Sequence, residues 1–231
     1  DGDGKPDILL PAYSLGKLET IRNTSVPGTL SFAAPNLFDG FAYPYDVEVG
    51  DFNQDGKRDY VLILESDAAD SADQINRGIL ILSAEANTYH VSAYCREAIR
   101  CEGCGGVFGD PFAGFSLTGN VLHWSHYGGS AWRWGEEITF RYQCGEWQLI
   151  GFSKESYSMN AGCEQDGAGA YQLTDVNYTT RMAHCIRTKE DACHPYQDVW
   201  KKFLRQESVL LQDFNINRAD DDGYIPKDLK N

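Results

Sequence analysis

Asp51-Phe52-Asn53-Gln54-Asp55-Gly56-Lys57-Arg58-Asp59 is the stretch that decides how this chain is read. Oxygen-bearing side chains stand at alternate positions 51, 53 and 55, where they can converge on one hard cation. Gly56 permits a sharp turn, the Lys57 carbonyl can point inward, and Asp59 can close the shell. Helical calcium loops open in the same way but carry a bidentate Glu at their twelfth position, ahead of a helix. Here the twelfth position is Leu62, inside the strand-like run Tyr60-Val61-Leu62-Ile63-Leu64. Before the loop, Val47 and Val49 alternate with Asp46 and Glu48, which is also a strand pattern. The expected unit is strand, calcium loop, strand.

The unit occurs twice. Asp3-Gly4-Lys5-Pro6-Asp7-Ile8-Leu9-Leu10 lines up with Asp55-Gly56-Lys57-Arg58-Asp59-Tyr60-Val61-Leu62 at an offset of 52 residues. A period near 50 with one strand-leading loop per unit belongs to stacked or radial β architectures, whose units bury their apolar faces against each other. Extending the alignment backwards sets Asp1 opposite Asn53 and nothing opposite Asp51, so part of one repeat is expected upstream. The candidate calcium ligands are Asp51, Asn53, Asp55, Lys57 (by its carbonyl) and Asp59 in the second copy. In the first they are Asp1, Asp3, Lys5 (by its carbonyl) and Asp7.

The pattern V-x-V-G-D-F-N-x-D-G-K-x-D over Val47 to Asp59, with the partial D-G-D-G-K-P-D over Asp1 to Asp7, resembles FG-GAP/VCBS repeats. That resemblance covers residues 1–66. It implies blades like those of integrin-type β-propellers, with Ca2+ in an inter-strand loop. A full ring takes several such blades, more than 231 residues hold, so the unit is expected without ring closure.

Thirty-four acidic against 20 basic residues give a formal charge of −14, which repels nucleic acid over most of the surface. No apolar run approaches the roughly 18 residues of a membrane-spanning helix. Seven cysteines, at 95, 101, 104, 144, 163, 185 and 193, lie mostly in Gly-rich or polar segments and predict disulfides, with Cys185–Cys193 the most plausible pair. Two glycosylation-type sequons, at Asn23 and Asn177, agree with an extracytoplasmic protein, whether periplasmic, cell-surface or secreted.

Residues 67–217 read as a second, antiparallel β-rich region. Phe115 to Leu117 and Val121 to Trp124 predict one hairpin through Thr118-Gly119-Asn120. Ile138 to Tyr142 and Trp147 to Phe152 predict another through Cys144-Gly145-Glu146. Tyr196, Val199, Trp200, Phe203 and Leu204 recur at helical spacing, which predicts a C-terminal helix near 196–205. Ser208 to Phe214 could add a strand, and 218–231 reads as a polar tail. The fold class is thus mainly β: propeller-blade-like calcium repeats plus an antiparallel sheet with one C-terminal helix.

The segment from Cys101 to Trp134 is dense in Gly, Cys, His and aromatic residues and is similar to a pattern in bacterial exported proteins, a likeness that implies no particular activity. Asp110, His126, Tyr127, Trp132, Arg133 and Trp134 are its candidate partner-binding residues. Trp132 and Trp134, two apart on a strand, share one face and could stack on sugar rings or an aromatic partner group, or lie in the core. Cys101, Cys104, His123 and His126 could form a zinc set, although no finger helix is indicated. Cys101 or Cys104 with His126 and Asp110 could form a nucleophile. Ser130 lacks the G-x-S-x-G elbow. The reading that results is a non-enzymatic, calcium-binding, extracytoplasmic protein whose partner is a protein or a glycan. The alternative is a glycan or cell-wall hydrolase using Asp110, Glu136 or Glu137, and a pocket holding two carboxylates roughly 5 to 9.5 Å apart would favour it.

Overall fold

Among the described residues, three antiparallel sheets succeed one another along the chain. The structure, a computed structural model, describes residues 4–38, 43–65, 77–85, 88–159, 170–188, 195–204 and 207–229. β1 (Ile8–Ala12), β2 (Lys17–Ile21) and β3 (Asn36–Phe38) form a three-stranded sheet. β4 (Pro44–Gly50), β5 (Asp59–Glu65), β6 (Arg77–Glu85) and β7 (Thr88–Ile99) form a four-stranded meander, the shape of a propeller blade. The third sheet is a meander of seven: β8 (Phe112–Thr118), β9 (Val121–Gly129), β10 (Trp132–Gln143), β11 (Glu146–Ser158), β12 (Tyr171–Asn177), β13 (Met182–Arg187) and β14 (Gln197–Lys202). Among the described residues no sheet closes into a ring.

The residue patterns explain the strands. β5 buries Val61, Leu62 and Ile63 in succession because both of its faces are covered, so it reads as an unbroken apolar run. β9 alternates instead, with Leu122, Trp124 and His126 buried and the residues between them half-exposed. Both predicted hairpins form. At the β10–β11 turn Cys144 and Gly145 take φ of 54° and 84°, the left-handed pair that a two-residue hairpin turn requires.

One core joins the second and third sheets. Phe52, on the acidic loop, is buried against Trp147 and Tyr142 of the large sheet, with ring centroids 5.0 and 4.8 Å away. Phe214, from the C-terminal segment, meets Trp124 and Phe140 edge-on and lies over Tyr224 at 4.6 Å.

Several expectations are corrected. The boundary expected at 66/67 falls inside the four-stranded sheet, whose β5 and β6 are hydrogen-bonded neighbours, and the core runs across it. The described part of the segment expected as a helix, 196–204, is not helical. Gln197–Lys202 is edge strand β14, because antiparallel pairing with β13 outweighs a helical spacing that leaves Trp200 exposed. Ser208 to Phe214 gives a single bridge from Leu210 to Gln148 and a 3₁₀ turn, Leu211–Asp213, in place of a strand. The region expected as a polar tail buries Ala219, Tyr224, Ile225 and Leu229 in the common core. Cys185 is a buried free thiol, and Cys193 lies outside the described residues, as do Asp1, Asp3 and the loop 67–76. Asn23 of the first sequon is buried, with its side-chain amide donating to the Pro6 carbonyl.

Candidate functional site

The loop between β4 and β5 is organised by its own backbone. The two carboxylate oxygens of Asp51 accept the N–H groups of Asp55 (3.0 Å) and Gly56 (2.9 Å), and Asn53 Oδ1 also accepts from Asp55 N–H at 3.0 Å. Asp55 Oδ1 takes the Lys57 N–H at 2.9 Å, which holds the exposed carboxyl below its usual range and so ionised. Gln54 and Gly56 take positive φ to make the turn. Asp51, Asn53 and Asp55 therefore point their oxygens into one exposed turn.

Asp59 has a different position. It is fully buried, with Oδ2 accepting from Phe52 N–H at 3.1 Å and Oδ1 from Ala84 N–H, at the end of β6, at 2.9 Å. The first copy repeats this arrangement: Asp7 Oδ1 accepts the Asn23 N–H, just past β2, at 2.8 Å. In both units the last Asp ties its loop to the second strand that follows. Among the described residues no group of three or more His, Cys, Asp and Glu side chains forms a metal cluster, so a cation here would also draw on Asn53 and a main-chain carbonyl.

A second constellation lies where the small and large sheets meet. Arg77, buried on β6, forks onto Asp110 at 2.5 and 2.8 Å, donates to the Arg100 carbonyl at 2.7 and 3.1 Å, and lies 5.1 and 5.5 Å from the rings of Tyr45 and Phe112, which meet edge-on. Arg100 forks onto Glu136, both bonds 2.7 Å, reaches Asp220 at 2.8 Å, and lies 5.0 Å from the Trp134 ring. Burial opposes ionisation of Glu136, yet Arg100 outweighs it and holds its pKa down to about 2. Burial likewise works against Asp110, and Arg77 still brings it below the usual range. His126 Nε2 accepts the Arg100 N–H at 3.3 Å and burial lowers its pKa, so its neutral form is favoured. Its Nδ1 is 3.6 Å from Glu136, too far for a hydrogen bond.

The catalytic arrangements expected from sequence do not assemble here. Cys101 and Cys104 are joined in a disulfide, and His123 and His126, three apart on β9, face opposite sides of the sheet, so there is no Cys2His2 set. Asp110 orients Arg77 rather than His126. Among the hydrolase candidates, Asp110 and Glu136 are pinned as anions, whereas a general acid needs a raised pKa. Glu137 points to the opposite face.

That opposite face of the seven-stranded sheet carries Tyr127, Arg133, Glu137, Glu155, Tyr157, Tyr171, Asp175, His184 and Trp200, all exposed or half-exposed. Tyr127 and Tyr157 share a 3.0 Å hydroxyl bond, and Tyr171 donates to Glu155 at 3.3 Å. Glycine at 135 leaves room for Glu155, whose Oε1 a Cβ there would approach to 3.0 Å. Arg133 lies over Phe108 at 4.3 Å. At the far edge the His184 ring stacks parallel to Trp200, 4.4 Å away, and is fixed by Asp198 at 2.8 Å. Of the residues singled out from the sequence, Tyr127, Arg133 and Glu137 lie on this face. Sequence reasoning missed Trp200 and His184 because the helical reading hid their cross-strand pairing. Trp132 is exposed, whereas Trp134 lines a cavity of about 220 Å³ with Arg100 and Glu136.

Residues 1–62 of the 231 match the family described as FG-GAP-like repeat, which agrees with the resemblance carried by the acidic loops. No curated protein and no solved structure matches the chain.

Proposed function

We propose that this chain is a non-enzymatic, calcium-binding, extracytoplasmic protein that engages a protein or glycan through the open face of its seven-stranded sheet. The observation that carries this reading is the Trp200–His184 pair. A large ring 63% exposed, backed by a parallel imidazole that Asp198 fixes, is a preorganised stacking surface. Hydroxyls and carboxylates flank it, as a polyhydroxylated or polar partner requires, and it lies on a sheet face, not around a carboxylate pair in a pocket. The FG-GAP-like repeat supports a binding role and an extracytoplasmic setting, and the Cys101–Cys104 disulfide fits an oxidising compartment.

Calcium belongs to the same proposal. Asp51, Asn53, Asp55 and the Lys57 carbonyl would hold the ion, whose charge would neutralise carboxylates crowded into one turn. Asp59 and Asp7 would brace the loops from behind. The test is co-sedimentation of the purified chain with insoluble polysaccharides (peptidoglycan, chitin, cellulose) and capture of surface proteins, each with calcium and with a chelator. Saturable binding that Trp200→Ala abolishes is expected. Hydrolysis of any of these substrates, or binding untouched by Trp200→Ala, would overturn the reading.

A further inference from the structure

The two sulfurs of the Cys101–Cys104 disulfide are not equivalent. Cys101 is 3% exposed, whereas Cys104 is half-exposed and lines the 220 Å³ cavity with Arg100, Trp134, Glu136, Lys154 and Asp220. Asp220 and Lys154 are partly exposed, so the cavity communicates with solvent on their side. A small nucleophile entering this cavity meets Cys104 and not Cys101.

Nor does the local fold rest on the bridge alone. The stabilisation that a disulfide gives by restricting the unfolded chain grows with the loop it closes, and only two residues separate these cysteines. Main-chain bonds fix the same segment independently: Gly105 N–H to the Gly109 carbonyl at 2.7 Å, Val107 N–H to Gly129 at 3.2 Å, and Tyr127 N–H to Pro111 at 2.8 Å. A bridge that contributes less to folding than a long-range one would, held in a pre-built loop with one cysteine at a cavity, is suited to being opened and closed.

We propose that Cys101 and Cys104 form a thiol–disulfide exchange site in which Cys104 Sγ is the atom attacked, and that its substrate is a dithiol whose reacting thiol can enter the cavity. The incoming thiolate bonds to Cys104 Sγ and the Sγ–Sγ bond breaks. Cys101 leaves with the electron pair and takes up a proton. The second thiol of the substrate, as its thiolate, then attacks the mixed disulfide and releases Cys104. The substrate is oxidised by two electrons to a disulfide, and the protein pair is reduced to two thiols; the reverse direction follows the same path.

The test starts with the native chain in graded dithiothreitol, quenched by alkylation and mapped by peptide mass. The expected result is reduction of the 101–104 bridge at least about tenfold faster than global unfolding measured under the same conditions. In a second measurement, folded Cys101→Ser is exposed to oxidised glutathione and should form a mixed disulfide at Cys104, while Cys104→Ser should leave Cys101 unmodified. Peptide mapping separates both from the exposed thiol of Cys144. A bridge reduced only at the rate of unfolding would make it a structural cross-link and overturn the proposal, and the wild-type measurement decides this even if a variant fails to fold. Modification of Cys101 in preference to Cys104 would overturn the assignment of the attacked sulfur.

Discussion

Arg100 holds both carboxylate oxygens of Glu136 at 2.7 Å in a site where the carboxylate is almost wholly enclosed. The pair also links strands, since Arg100 follows β7 and Glu136 belongs to β10. Removing one partner leaves the other charge without compensation, which costs more than the intact pair contributes. Arg100→Met should therefore destabilise the chain by about 3 to 5 kcal/mol in urea denaturation. Arg100→Met combined with Glu136→Met should recover most of that loss. A single variant within about 1 kcal/mol of wild type would show that the pair is better solvated than its burial indicates.

The same network sets an acid limit. The Glu136 pKa falls from an ordinary 4.5 to about 2 on folding, so its contribution is complete above about 4.5 and is lost as pH falls towards 2. His126 is lowered from 6.5, so folding favours the neutral ring; that contribution is complete above 6.5 and shrinks as pH falls through the folded value. Stability followed from pH 8 to pH 3 should thus decline in two stages. Glu136→Gln should shrink the lower stage, leaving the part that Asp110 contributes, and leave the upper one. A midpoint independent of pH down to 3 would contradict both assignments.

Local signals were legible in the sequence, and distant ones were not. The acidic loop could be read because D-x-N-x-D-G encodes its turn within six residues. The two hairpins could be read because Gly119 and Gly145 punctuate alternating runs. The charge network left no local spacing: Arg77 and Asp110 are 33 positions apart, Arg100 and Glu136 36, and Arg100 and Asp220 120. The helix assigned to 196–205 failed for a related reason. Tyr196, Val199, Trp200 and Phe203 satisfy a helical period, but the seven-stranded sheet offers β13 a partner strand, and pairing outweighs the weak preference of an isolated segment.

The proposed calcium loop allows ligand and brace to be tested separately. Asp55 is exposed and its bonds stay within the loop, so Asp55→Ala should change stability little in chelator and remove most of the rise in melting temperature that calcium gives. Asp59→Ala leaves the buried N–H groups of Phe52 and Ala84 without acceptors, at about 1 to 3 kcal/mol each, so it should destabilise the chain even in chelator. Equal behaviour of the two variants in chelator would remove the distinction. A melting curve indifferent to calcium would remove the metal from the proposed function.

The tryptophans test the binding face against the interior. Trp200 is 63% exposed and its main neighbour is the His184 ring, so Trp200→Ala should leave the urea midpoint nearly unchanged while abolishing capture of the partner. Trp134 reaches over Arg100 and packs so tightly on Gly128 that a Cβ there would come within 2.5 Å of its ring. Trp134→Ala should therefore leave a void and cost about 3 kcal/mol, with binding weakened only as far as folding is. Trp132, exposed at the start of β10, should cost less than about 1 kcal/mol on truncation. Binding isotherms and denaturation curves for the three variants should fall into two classes, one losing affinity at constant stability and one losing stability first. If Trp132→Ala and not Trp200→Ala abolishes capture, the contact lies at the start of β10 on the face that Trp132 shares with Trp134, opposite to Arg133. If neither changes it, aromatic stacking does not drive the association, and the carboxylates Glu137, Glu155 and Asp175 on the Trp200 face become the groups to replace.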